Sequence, residues 1–139
     1  MRYVIDLYLG QEKIFLLELI KDGIADPQRL PVGGYSYGSF LTNWLITQTK
    51  RFNAALSGAG VVDHTSMWGT LDQPIMIHHL FGGLPCEVPY IYQSEAPIYE
   101  LDRIRTPTHI ITGEDDLRVP SSQNYILERG LHYLAIQEN

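Results

Sequence analysis

Apolar residues in this chain recur at two spacings, and the switches between them mark alternating strands and helices. In Met1 to Leu9, the side chains of Tyr3, Ile5, Leu7 and Leu9 fall on one side of an extended chain, as in a short strand. Gln11 to Asp22 changes period: Leu16, Leu19 and Ile20 share a helical face, and Gly23 is placed to end the helix. Ala25-Asp26-Pro27 is a turn, because the residue before a proline is pushed out of the α region. Leu30 to Gly33 predicts a strand, short or irregular at Pro31, since proline removes a ladder donor. Phe40, Leu41, Trp44 and Leu45 then repeat at helical spacing. Small residues from Phe52 to Gly58 suit a strand, at Asn53 to Ser57, buried on both faces. Pro74 to Phe81 reads as a short helix with proline in its first turn, and another lies near Pro89 to Gln93. Thr108 to Thr112 is a β-branched strand bounded by Gly113. Ser121 to Arg129 predicts the last helix, with Tyr125 and Ile126 toward the core and Gly130 closing it; Leu131 to Ile136 then begins one more strand. Alternating units of this kind imply parallel strands in a three-layer α/β arrangement.

The strand ending near Gly33 and the helix beginning before Phe40 are joined by Gly34-Tyr35-Ser36-Tyr37-Gly38. A serine between two glycines at a strand-to-helix turn is the nucleophile elbow of α/β-hydrolases, which holds its Oγ out on a sharp bend. A Cβ at either flanking position is expected to collide with neighbouring backbone. The helix that follows directs its N-terminal amides at the reacting centre, and the N–H of Tyr37 is the expected oxyanion donor. The same pentapeptide also fits a plain turn in which Ser36 caps a helix; the strand before it and the helix after it favour the elbow.

A net charge of −6 and the lack of a basic cluster set nucleic-acid binding aside. At 139 residues, 45% of them hydrophobic and 19% charged, the chain fits one globular domain with a core. Its single cysteine, Cys86, excludes an internal disulfide and is expected as a small buried or loop residue. The longest apolar run, Ile14 to Ile20, is broken by Glu18 and is too short to span a membrane. With no leader pattern at Met1, the expected compartment is the cytoplasm.

A serine hydrolase needs an acid on the loop after a later strand, and Gly113 to Pro120, with Glu114, Asp115 and Asp116, occupies that place. Acidic residues also favour helix N-termini, so position alone leaves both roles open. His64, Asp63, His78 and His79 suggest a metal site, but adjacent histidines diverge by about 100° on a helix and no His-x-x-x-His spacing exists. No metal is therefore expected. Tyr90, Tyr92, Tyr99 and Trp68 are candidates for an acyl or proline pocket, with packing as the default role.

Three stretches together resemble the prolyl oligopeptidase family of serine peptidases, in particular its acylaminoacyl-peptidase and dipeptidyl-peptidase-like members. They are Gly23-Ile24-Ala25-Asp26-Pro27-Gln28-Arg29-Leu30, then Gly33-Gly34-Tyr35-Ser36-Tyr37-Gly38, then Gly113 to Pro120. Ser94 to Pro107 is similar to the segment leading to that family's acid strand, so the resemblance runs from about Gln11 to Ile136. It implies a partial α/β-hydrolase catalytic domain over 1–139, a parallel sheet with flanking helices. It further implies Ser36 as nucleophile and Asp116, the Asp of Gly-x-x-Asp-x-x-Val-Pro, as the acid, with Asp115 on a variable position. The substrates implied are short peptides or N-acylated amino acids, cleaved through an acyl-serine without a cofactor. Ser39 stands where a further glycine is common.

The family's catalytic histidine follows the strand after this last helix, and none of His64, His78, His79, His109 and His132 stands there. His132 alone follows Asp116, at the start of the expected final strand rather than beyond it. Two further readings stay open: an inactive fragment or assembly component that takes its histidine from elsewhere, self-associating through open sheet edges, and an esterase using the same elbow.

Overall fold

The computed structural model describes residues 16–137, so the expected strand at Met1 to Leu9 lies outside the described residues. The described part of the first helix, α1 (16–21), ends as its glycine predicts. Gly23 takes φ 72°, its N–H donates to the Ile20 carbonyl at 3.0 Å, and the Ile24 N–H reaches the Leu19 carbonyl at 2.9 Å. These two bonds are the Schellman pair that satisfies the last carbonyls of a helix. Asp26 then makes the turn, its carboxylate accepting from the Gln28 N–H and the Arg29 side chain.

Three parallel strands follow: β1 (Pro31–Tyr35), β2 (Ala54–Gly58) and β3 (Thr108–Ile111), in the order β1-β2-β3. Pro31 is the first residue of β1, and β1 has a single neighbour among the described residues, so its missing N–H breaks no ladder there. Between the strands lie α2 (Tyr37–Gln48), α3 (His64–Thr70), α4 (Pro74–Phe81), α5 (Pro89–Ser94) and a 3₁₀ stretch, Pro97–Arg103; α6 (Ser122–Gln137) ends the described chain.

Register puts Val32, Ala55 and Thr108 in one row and Gly34, Ser57 and Ile110 in the next, all on one face of the sheet. Val32, Ala55 and Ile110 pack there with Ile46 of α2 and Leu127 of α6. A second core joins α2 to α3, α4 and α5 through Phe40, Met67, Ile77, Phe81 and Tyr92. On the other face Tyr35, Leu56 and Ile111 are exposed, Leu56 at 43%. The expectation of a β2 strand buried on both faces within three layers is therefore corrected: among the described residues helices cover one face only.

The end of the chain departs from the sequence reading as well. Leu131 to Ile136 is not a strand; α6 runs on through Gly130 to Gln137. Gly130 does not cap the helix. A Cβ there would lie 2.6 Å from Leu101 Cδ1, so the glycine admits the 3₁₀ stretch close to the helix. His132 accordingly lies on α6. Tyr125 is exposed rather than in the core, and Leu127, fully buried two positions on, takes its place. Cys86 is an exposed turn residue. Among the described residues no helix is long and apolar enough to cross a membrane.

Because Leu127 joins α6 to the sheet at 0% exposure, Leu127→Ala is expected to destabilise the chain by about 3 kcal/mol. Urea unfolding monitored by circular dichroism measures it.

Candidate active site

Ser36 lies between the end of β1 and the start of α2 with φ 56° and ψ −120°, a backbone conformation that L-residues rarely adopt. It is held from both sides. Its N–H donates to the Gly58 carbonyl of β2 at 2.8 Å, and its carbonyl accepts from the N–H groups of Ser39 and Phe40 as α2 begins. Tyr37 opens α2, so its N–H belongs to the turn that carries the positive end of the helix dipole.

The two glycines of the elbow are not equivalent. A Cβ on Gly34 would sit 2.3 Å from the Gly38 carbonyl carbon and oxygen, so no other residue fits between the strand and the first turn of the helix. A Cβ on Gly38 would meet nothing within 4 Å. The expectation that both positions are closed by backbone is thus corrected to Gly34 alone. Beneath the elbow is a small polar cluster: buried Ser39 shares a 2.9 Å hydrogen bond with Ser57, and a Cβ on Gly60 would lie within 2.7 Å of Asn43, Ser39 and Ser57 atoms. The Ser39 hydroxyl thus has a partner.

In the loop after β3, Asp116 is half-buried while Glu114 and Asp115 are exposed. One Asp116 carboxylate oxygen accepts from the N–H groups of Arg118 at 2.9 Å and Val119 at 2.8 Å, which fixes the side chain within its own loop. Arg118 forms a two-pronged pair with Asp72 at 2.7 and 3.1 Å, and the Asp72 N–H donates to the Leu117 carbonyl. The hydrogen bond from Arg118 holds the Asp72 carboxyl below its ordinary value. Gln123 and Asn124, in the first turn of α6, tie this loop to the one after β2. Gln123 accepts from the N–H groups of Val62 and Asp63 and donates to Ser66. Asn124 accepts from the Gly60 N–H and donates to Thr112.

A cavity of about 130 Å³ connects these parts. Ser36 lies at it, Phe40, Met67, Ile77 and Phe81 form apolar walls, and Arg118 and Val119 bring the acid loop to its rim. The aromatic residues singled out in the sequence do not line it. Tyr92 is in the core with its hydroxyl on the Gly83 carbonyl, and Tyr90 and Tyr99 are exposed. His64, by contrast, does line it. It follows Asp63, which caps α3 by accepting from Thr65 and Ser66, a signal present in the sequence as Asp-x-Thr-Ser. His64 is 5% exposed between the rings of Phe40 and Phe81, and burial pushes its pKa down to about 4 against a partial rise from Asp63. Among the described residues no histidine hydrogen-bonds Ser36 or Asp116. Nor do the described residues contain a group of three His, Cys, Asp or Glu side chains able to hold a metal ion.

Comparison with known proteins adds four findings. The family model described as the prolyl oligopeptidase family matches residues 15–136. An acylamino-acid-releasing enzyme of Arabidopsis thaliana is 35% identical over 127 residues, 85% of this chain and 17% of the relative. Among solved structures, an acylaminoacyl peptidase of Pyrococcus horikoshii superposes with a TM-score of 0.81 at 25% identity, over 94% of this chain and 21% of that one. A puromycin-hydrolyzing peptidase of Mycobacterium tuberculosis gives 0.76 at 32% identity, over 85% and 18%. The chain thus spans about a fifth of the length of the proteins it matches.

The elbow geometry sets the response to substitution. Gly34→Ala is expected to cost about 3 kcal/mol, whereas Gly38→Ala, in a helical turn with free space, should be neutral or stabilise by up to about 1 kcal/mol; chemical denaturation of the two variants separates them. His64 sets an acid limit. Its folded pKa lies below the ordinary 6.5, so the stability it contributes is complete above that value and is lost as pH falls toward 4. The loss attributable to this residue is on the order of 3 kcal/mol at pH 4. Urea unfolding from pH 7 to pH 4 should show it as a difference between the chain and its His64→Phe variant, which lacks the titrating group.

Proposed function

The chain belongs to the prolyl oligopeptidase family, and we propose that it is the central part of a serine-peptidase catalytic domain of the α/β-hydrolase fold, acting on short peptides or N-acylated amino acids. The observation that carries this reading is the backbone of Ser36, held at φ 56° and ψ −120° between β1 and α2 at the mouth of an apolar cavity. Strain of this kind persists only where the surroundings enforce it, and in a nucleophile elbow it serves to hold a hydroxyl out beside a helix N-terminus.

In the proposed reaction Ser36 Oγ attacks the carbonyl carbon of the scissile bond. A histidine takes the hydroxyl proton and returns it to the leaving amine, which departs with the C–N bond broken. The tetrahedral oxyanion is met by the N–H of Tyr37 in the first turn of α2. Water then hydrolyses the acyl-serine by the same steps in reverse order. Asp116 orients the histidine. Its anchoring by two backbone N–H groups supports that role, since an orienting carboxylate must keep one geometry. Asp115, exposed and one residue earlier, lacks such bonds among the described residues. No cofactor enters this chemistry.

The histidine is the part that these residues leave to another segment, because none of the described ones bonds to Ser36 or Asp116. That observation favours the second reading, in which this stretch alone is inert and gains activity when a histidine-bearing segment completes it. The outer edges of β1 and β3, unpaired with other strands among the described residues, are where further strands of the domain, or a second copy, would add.

A fluorophosphonate probe tests both. Ser36 is expected to label at least about 1000-fold faster in a polypeptide extended to include the family's histidine segment than in the 139-residue chain. Asp116→Asn should slow the extended protein by orders of magnitude, while Asp115→Asn leaves it unchanged. No labelling in either protein removes Ser36 as nucleophile, and equal labelling removes the need for an outside base. Faster turnover of nitrophenyl acetate than of an acetylaminoacyl nitroanilide, relative to their uncatalysed rates, would move the assignment to an esterase.

A further inference from the structure

Ser36 is anchored through its backbone at two places, one on the sheet and one on the helix, and a single side-chain contact joins them. On the sheet side its N–H donates to the Gly58 carbonyl of β2. On the helix side its carbonyl accepts from the N–H groups of Ser39 and Phe40. Ser57 directly precedes Gly58, and its hydroxyl shares a 2.9 Å hydrogen bond with the hydroxyl of Ser39. The contact therefore runs from the neighbour of one anchor to a member of the other. Both serines are 0% exposed, and neither hydroxyl has another hydrogen-bond partner among the described residues. Asn43, the third polar side chain there, donates instead to the Val61 carbonyl at 3.4 Å. Neither serine lines the cavity at Ser36.

Stability alone does not account for this pair. Burying a hydroxyl costs its hydration, and a mutual hydrogen bond roughly offsets the loss; two alanines of nearly the same shape would incur neither. What two methyl groups lack is direction, because a hydrogen bond fixes distance and angle where apolar contact does not. The space is close-fitting as well: a Cβ on Gly60 would lie 2.6 Å from the Ser39 Oγ and 2.7 Å from the Ser57 Oγ. We propose that Ser39 and Ser57 are positioning residues for the nucleophile. Their hydrogen bond locks the first turn of α2 to the end of β2, and so holds the Ser36 hydroxyl and the Tyr37 N–H in one relative geometry. That role rests on Ser36 being the nucleophile. It is felt in the transition state, where the attacking oxygen and the oxyanion donor must be aligned at the same moment.

The double variant Ser39→Ala/Ser57→Ala removes both hydroxyls and leaves neither orphaned. In the polypeptide extended by the histidine segment it is expected to lower kcat on an acetylaminoacyl nitroanilide about tenfold with KM unchanged. Its urea midpoint should match that of the unsubstituted protein. Each single variant, with one hydroxyl left buried and unpaired, should unfold at lower urea than the double. In the 139-residue chain, amide exchange followed by NMR should be about fivefold faster at Ser36 and Ser39 in the double variant, the size of one net hydrogen bond, and unchanged at Leu127. A kcat within about twofold of the unsubstituted protein, a change confined to KM, or unmoved exchange at Ser36 overturns the proposal. So does a double variant that unfolds at clearly lower urea, since the pair would then be a stability contact. Each of these leaves the peptidase reading standing when the unsubstituted extended protein labels with the fluorophosphonate. A protein that does not label withdraws that reading, and the positioning role with it.

Discussion

At Gly34 the chain comes almost into contact with its own continuation four residues later, and the rest of the molecule is arranged to permit that approach. The strand must end and the helix must begin within a single residue, Ser36, whose dihedrals lie where L-residues are seldom found. The hydrogen bond from Ser36 to Gly58 fixes the turn to β2, and the first bonds of α2 fix it to the helix. Neighbouring positions are small or polar for the same reason. Gly60 leaves room for Asn43, Ser39 and Ser57 directly under the bend, where a larger side chain would push the helix off the sheet. A backbone that has one way through this crossing can hold its serine without help from bulky packing nearby.

The parts of the fold that follow from local chemistry were legible in the residues. Gly23 announced its left-handed cap, Pro74 and Pro89 announced two helix starts, and the β-branched run before Gly113 announced β3. The parts decided by tertiary contact were not. Gly130 looks like a stop signal and acts instead as a clearance for Leu101, so α6 continues and the expected last strand does not form there. Leu56, set in a run of small residues that reads as fully buried, lies on the sheet face that the described helices leave open. Helix α3 was missed although Asp63 caps it, because seven residues with mixed polarity carry little periodicity.

The candidate site divides along the same line. Ser36 and Asp116 are marked by glycines and spacing that can be read in one dimension. The cavity beside them cannot, since its walls come from α2, α3, α4 and the loop after β3. His64 illustrates the difference: in one dimension it stands out only as a candidate metal ligand beside Asp63, and its position between two phenylalanine rings, with a nitrogen left over, cannot be read there. Tyr92 shows the converse, an aromatic that looked like a pocket residue and is a core residue with its hydroxyl satisfied.

Gln123 and Asn124 have a mechanical consequence. Two adjacent amides at one helix end grip the loop after β2, while the same helix end terminates the loop that carries Asp116. A shift of α6 along its axis therefore carries both loops in step. The carboxylate loop and the cavity wall are two jaws on a common shank, and because Asn124 grips Gly60, two residues beyond the Gly58 carbonyl that Ser36 bonds, the shank reaches the elbow as well.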